Sequence, residues 1–220
     1  VSGPASAAME MAVSNLLWPG RRVLVLSNGL FSGRFAEMAE GVGADVTILQ
    51  DPTGQPVSAP LVSTALQQAS YDVVTMVQGE TSSGVYTRDL AEIVALARSH
   101  GALTVVDAVC TLSTMPLKKD EWGIDVVVTG SQKGLSSLPG VSLISFSERA
   151  WEVAAQRTAP RPHWCLDVLR AEKFWGGGSY HYTAPVPALL ALHEALRLII
   201  EETLERRFKR HLHSSLSLQR

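Results

Sequence analysis

Lys133 stands in Gly130-Ser131-Gln132-Lys133-Gly134, at the exit of an apolar run, residues 124–128, that reads as a buried strand. An amine held where a strand opens into a glycine-bounded polar turn is placed for nucleophilic chemistry. Twenty-six positions upstream a second run, Leu103-Thr104-Val105-Val106, ends in Asp107, an acid at the equivalent strand end. An amine able to form a Schiff base and a carboxylate able to keep a ring nitrogen protonated are together what an enzyme needs to hold pyridoxal 5'-phosphate. Taken singly, each residue has a plainer reading, a solvated loop charge for the lysine and a helix cap for the aspartate. Together the plain readings weaken, because the carboxyl ends of parallel strands converge on one crevice where ligands bind.

The elements that must position this pair alternate between helix and strand patterns, the mark of βαβ units. Helices are expected over residues 5–17, 34–40, 62–68, 90–99 and 166–173, and strands over 22–26, 46–49, 73–77, 103–107, 124–128 and 141–146. The last strand follows Lys133 by a loop too short for a crossover helix, so it should run antiparallel to its neighbours. Residues 187 to about 213 read as one long amphipathic helix, with Leu189, Leu192, Leu196 and Ile199 or Ile200 on its apolar face. The fold expected is α/β, a mostly parallel sheet with one antiparallel strand and helices on both faces.

Composition bounds the remaining possibilities. The 220 residues are 46% hydrophobic with 17 glycines, the make-up of a globular chain able to bury a core. A net charge of -2 without blocks of like charge gives no reason to invoke nucleic acid or a membrane surface as partner. No apolar stretch approaches the length of a bilayer span. The two cysteines, Cys110 and Cys165, are too few and too far apart for a disulfide scaffold, and the six histidines show no metal-ligand pattern. Reduced thiols in a cytoplasmic setting are therefore expected, or an organellar lumen such as a peroxisome or mitochondrion in a eukaryote. The chain opens Val1-Ser2-Gly3 without an initiator methionine and reads as the middle of something longer.

Several further motifs fall in one order along the chain: Ser2-Gly3 with Ala7-Ala8-Met9-Glu10, Asn28-Gly29-Leu30-Phe31-Ser32-Gly33-Arg34, Gly79-Glu80-Thr81-Ser82-Ser83-Gly84-Val85, Val105-Val106-Asp107-Ala108-Val109, Leu143-Ile144-Ser145-Phe146-Ser147 and Tyr180-His181-Tyr182-Thr183. With Gly130-Ser131-Gln132-Lys133 they resemble the class V pyridoxal-phosphate aminotransferases, specifically the alanine–glyoxylate and serine–glyoxylate (serine–pyruvate) group. The resemblance runs over essentially the whole chain. It implies the large domain of the aspartate-aminotransferase-like fold, of the seven-stranded type, over residues 1–186. Residues 187–220 would form a helix leading to a small C-terminal domain absent from this chain.

It also implies roles. Lys133 would carry the cofactor and then shuttle a proton, and Asp107 would face the ring nitrogen. Phe31 would stack on the ring, and Thr81 would place a hydroxyl near the cofactor O3′ or phosphate. The phosphate would sit on the first helix; the family has a hydroxyl and a glycine where Pro4 and Ala5 stand, and proline has no N–H, so the cup should lean on Ala5, Ser6 and Gln132. In relatives, the residues matching Tyr180 and Thr183 reach the phosphate of the partner subunit, which implies a homodimer with shared sites. The implied activity moves an amino group from a small amino acid, alanine or serine, to an oxo acid, glyoxylate or pyruvate. In relatives an arginine of the small domain holds the substrate carboxylate, and that part is not in this chain. Two other readings stay open: a sister pyridoxal-phosphate enzyme, such as an aminoethylphosphonate transaminase or cysteine desulfurase, and a non-catalytic cofactor-binding or scaffold protein.

Overall fold

The structure is a computed structural model and describes residues 1–219. In chain order the elements are α1 (Ala5–Leu16), β1 (Arg22–Leu26), α2 (Leu30–Gly41), β2 (Asp45–Leu49), α3 (Ala59–Gln68), β3 (Val73–Val77), β4 (Gly79–Glu80) and β5 (Val85–Tyr86). There follow α4 (Leu90–Ser99), β6 (Leu103–Asp107), α5 (Lys119–Trp122), β7 (Val126–Gly130), β8 (Ser142–Phe146), α6 (Glu148–Ala155) and α7 (Val168–Ala171). After a π-helical turn, Glu172–Gly176, come α8 (Val186–Glu202) and α9 (Leu204–Leu218).

Six strands form the central sheet in the order β2-β1-β3-β6-β7-β8. All neighbours pair in parallel except β8, which runs antiparallel to β7 with Gly130 opposite Ser142. The mostly parallel sheet with one reversed strand is as expected, but it has six strands rather than the seven of the type the resemblance implies. The described residues contain only one further pair of strands, the hairpin β4-β5, and its strands are two residues each, too short to join the ladder.

Side chains alternate across the sheet, as the period of two in a strand requires. Val23, Val25, Val73, Leu103, Val105, Val126 and Val128 face one core, packed against α1, α2, α6 and α7. Leu24, Leu26, Val74, Met76, Val106 and Val127 face the other, against α3 and α4. Both faces of the central strands β1, β3, β6 and β7 are buried, which is why they are largely apolar and legible as strands.

One expected element is broken in two. The helix expected over residues 187 to about 213 ends at Glu202, and α9 begins at Leu204. Thr203 between them has a left-handed φ of 70°. Its N–H closes α8 by donating to Ile199 O and Ile200 O, at 3.0 and 3.2 Å. The heptad-like apolar pattern continues through the break and hides it from the sequence.

Candidate active site

The carboxyl ends of β3, β6 and β7 open into a cavity of about 200 Å³. Lys133 enters it from the turn after β7, beside Gln132, and Asp107 enters it from the last position of β6. Ala5 and Ser6 reach it from the start of α1, Phe31 from the first turn of α2, and Thr81 from the β4-β5 turn. Seven residues expected at a cofactor site therefore border one cavity.

Tyr180 and Thr183 do not border it. They lie on the surface, hydroxyl to hydroxyl in a hydrogen bond, with Tyr180 66% exposed.

Asp107 is only 4% exposed. Its Oδ1 accepts from the Val109 N–H at 2.7 Å, which fixes the carboxyl plane. Burial pushes its pKa up to about 6; the Val109 hydrogen bond opposes this and the nearby charge of Glu80 adds to it. A buried acid with so little compensation is set for a cationic partner, such as a protonated ring nitrogen.

Glu80, itself buried, organises the opposite wall. Its Oε2 accepts from Ser32 N–H at 2.8 Å and Oε1 from Phe31 N–H at 3.2 Å, so a carboxylate from another segment caps the N-terminus of α2. Burial pushes its pKa up, but the hydrogen bonds from Ser82, Ser32 and Phe31 outweigh it and the net direction is down. Gly29, just before α2, is obligatory, since a Cβ there would lie 2.5 Å from Ser82 Oγ and 2.8 Å from Glu80 Cγ.

At the other end, α1 starts after Pro4 with neither a side-chain cap nor an acidic residue in its first turn. The N–H groups of Ala5 and Ser6 have no partner within the helix, and the positive end of the dipole faces the cavity. Arg34 adds a cation there, donating from Nη1 to Ser6 Oγ at 3.2 Å while its guanidinium lies 4.8 Å from the Phe31 ring centroid. Free amides, a helix dipole and an arginine fit a phosphate dianion. Gln132 Oε1 is buried in the same wall with no hydrogen-bond partner among the described residues. The cavity thus offers the donor set pyridoxal phosphate needs: an anion seat, an aromatic wall, an amine and a buried acid.

Arg34, Glu80 and Cys110 belong to this site, yet sequence reasoning assigned none of them a role. Arg34 had one local signal, three residues after Phe31 on the same helix. Cys110 borders the cavity, but its thiol donates to Gly79 O at 2.8 Å, and burial together with the charge of Asp107 pushes its pKa up to about 11. It is a protonated wall residue, not a poised thiolate.

No group of three His, Cys, Asp or Glu side chains among the described residues is arranged to hold a metal ion, and no helix among them is long and apolar enough to cross a membrane.

A mostly parallel sheet with a reversed edge strand, and an amine and a buried acid at its carboxyl edge, are the architecture of the aspartate-aminotransferase-like fold. Comparison with known proteins makes the assignment specific. The family described as aminotransferase class-V matches residues 1–218, and the chain belongs to that family. It is 38% identical over 217 residues to the alanine–glyoxylate aminotransferase of Oryctolagus cuniculus, covering 96% of this chain and 55% of that protein. It is 37% identical over 206 residues to the L-aspartate–glyoxylate aminotransferase of Paracoccus denitrificans, covering 92% of this chain and 52% of the relative. The crystal structure of the alanine–glyoxylate aminotransferase from Nostoc sp. superposes with a TM-score of 0.95 at 38% identity, over 99% of this chain and 58% of that one. The chain spans about half the length of the curated relatives it matches.

Proposed function

We propose that this chain is the cofactor-binding part of a pyridoxal-phosphate transaminase that moves an amino group from a small amino acid such as alanine or serine to an oxo acid such as glyoxylate or pyruvate. The observation that carries the reading is the meeting of the Lys133 amine and the buried Asp107 carboxyl in one cavity, between an uncapped helix start and the Phe31 ring. The names of the relatives support glyoxylate as amino acceptor. A cysteine desulfurase has less support, because the cysteine in the cavity is held as a thiol.

Bound there, pyridoxal phosphate supplies an aldehyde for exchange with amines and a ring that takes up the electron pair left when a substrate α-proton departs. Each residue then has a task. The Ala5 and Ser6 amides, Gln132 and Arg34 would hold the phosphate, Phe31 would supply an aromatic wall for the ring, and Thr81 would offer it a hydroxyl. Asp107 would hold a proton on the ring nitrogen, and that cationic partner would favour the charged carboxylate and draw its pKa back down. The Lys133 amine would anchor the cofactor and, when free, take the proton from the substrate α-carbon and hand it on.

In this reading residues 1–186 are the large domain, and 187–220 lead toward a small domain whose arginine forks the substrate carboxylate. Tyr180 and Thr183 serve the phosphate of a second copy in a homodimer.

The test is spectroscopic. Wild-type protein mixed with pyridoxal phosphate should develop a visible band that borohydride fixes onto Lys133, located by peptide mapping, while Lys133→Ala should keep its fold and lose the band. A fixed adduct elsewhere, or an unchanged band in Lys133→Ala, defeats the assignment.

A further inference from the structure

Among the described residues, three besides glycine have left-handed backbones: Ser113 (φ 71°), Ser136 (φ 56°) and Thr203 (φ 70°). Such conformations are strained for a residue with a Cβ and persist only where the surroundings over-determine them. All three meet at one residue, two of them at its side chain and Thr203 at its main-chain N–H. Arg207, in the first turn of α9, is 5% exposed. Its Nε donates to Ser113 Oγ at 3.1 Å, and its Nη2 donates to Ser136 Oγ at 2.7 Å and Gly134 O at 2.9 Å. Its Nη1 donates to Glu202 Oε2 at 3.1 Å, and its own N–H donates to Thr203 O at 3.1 Å.

Gly134, the residue after Lys133, is the hub of this cluster. Its carbonyl accepts from Arg207 and also from Ser113 Oγ at 2.7 Å, and its N–H donates to Val109 O at 3.1 Å. A Cβ at Gly134 would lie 2.3 Å from Leu112 O, so the two backbones are in direct contact. Ser113 sits on the loop that leaves Asp107, and Gly134 and Ser136 sit on the loop that leaves Lys133. One guanidinium therefore bolts together the exits of the two strands that carry the amine and the acid. Arg207 does not itself border the cavity.

We propose that Arg207 is a positioning residue, a buried clamp that sets Lys133 at a fixed place relative to Asp107 and makes docking of α9 a condition of that geometry. The functional part rests on the reading of Lys133 as the cofactor's amine. The planar fork matters as much as the charge: three nitrogens serve four acceptors in fixed directions, which a lysine ammonium on a flexible stem cannot reproduce.

Two measurements on the full chain separate the clamp from the cofactor reading. In cofactor-free protein, hydrogen exchange is followed at Gly134, Ser136 and Ser137, whose N–H groups donate to Val109 O, Lys133 O and Ser131 O. Arg207→Lys should speed exchange at these three amides about tenfold or more, with the amides of β3 and β6 unchanged, and Ser136→Ala should do so by about threefold. Unchanged exchange at these amides in both variants overturns the clamp. Should Arg207→Lys fail to fold, Ser136→Ala decides by the same criterion.

In the second measurement pyridoxal phosphate is added. Arg207→Lys should bind it with a Kd within about threefold of wild type, yet form the borohydride-fixable band on Lys133 about tenfold more slowly. A wild-type rate in Arg207→Lys overturns the positioning role. Wild-type protein that forms no band on Lys133 defeats the cofactor reading instead, and the exchange measurement still decides the clamp.

Discussion

Asp107 shows what a buried acid costs the fold that carries it. Its folded pKa of about 6 lies above the ordinary 3.8, so its contribution to stability is fully present below about pH 4 and is lost as pH rises through 6. That gap corresponds to at most about 3 kcal/mol. Asp107→Asn removes the buried charge and should make the cofactor-free protein more stable than wild type by about 1–3 kcal/mol at pH 8, and no more stable at pH 4. Urea unfolding at the two pH values checks this; a difference independent of pH would contradict it. Lys133 and Asp107 were legible in the sequence because strand ends and a glycine-bounded turn mark them locally, whereas Phe31 was reached only through the family resemblance. Their partners were not. Glu80 acts on Phe31 from 49 positions away, and Arg207 acts on Gly134 from 73, distances at which no local pattern reports a contact.

Among the elements, the central parallel strands were legible because burial on both faces makes them largely apolar. The β4-β5 hairpin, α5 and α6 were not, being at most eight residues long. The break at Thr203 was invisible because neither a glycine nor a proline marks it. A second buried acid holds several elements in register. Asp125, 0% exposed, accepts from Thr104 N–H at 3.0 Å and from Ser147 Oγ at 2.8 Å, and pairs with Arg98 and Arg149 at 3.5 and 3.4 Å. Removing it strands two half-exposed guanidiniums and uncaps the joint between β8 and α6. Asp125→Ala should destabilise the protein by about 1–3 kcal/mol, chiefly because the buried Thr104 N–H loses its acceptor, and Asp125→Asn by less, since the amide oxygen can still accept. Denaturant midpoints that barely move in Asp125→Ala would rule out this tie as a main support of the sheet.

On the scale of the whole molecule, the apolar surface is unevenly spread. Leu190, Leu198 and Ile200 on α8 are 66%, 52% and 76% exposed but point to different sides of the helix. What fits the proposed homodimer is that Tyr180 and Thr183 lie outside their own cavity. Two inactive versions of the enzyme, Lys133→Ala and the double variant Tyr180→Ala with Thr183→Ala, should recover about a quarter of wild-type activity after subunit exchange, since half the dimers are mixed and each has one intact site. Proven exchange without recovery would show that each copy completes its own site.

The start of the chain is stitched to a segment far along it: Ser2 pairs with Val141, and Gly3 N–H donates to Gly140 O at 3.0 Å. These bonds hold the stub from which α1 departs, and with it the seat for an anion. During synthesis on a ribosome, α1 emerges early but cannot be seated until residue 141 has cleared the exit tunnel. On the function proposed above, cofactor capture is thereby deferred to a nascent chain that already contains both Asp107 and Lys133, so no half-made sheet offers a phosphate site before its amine exists.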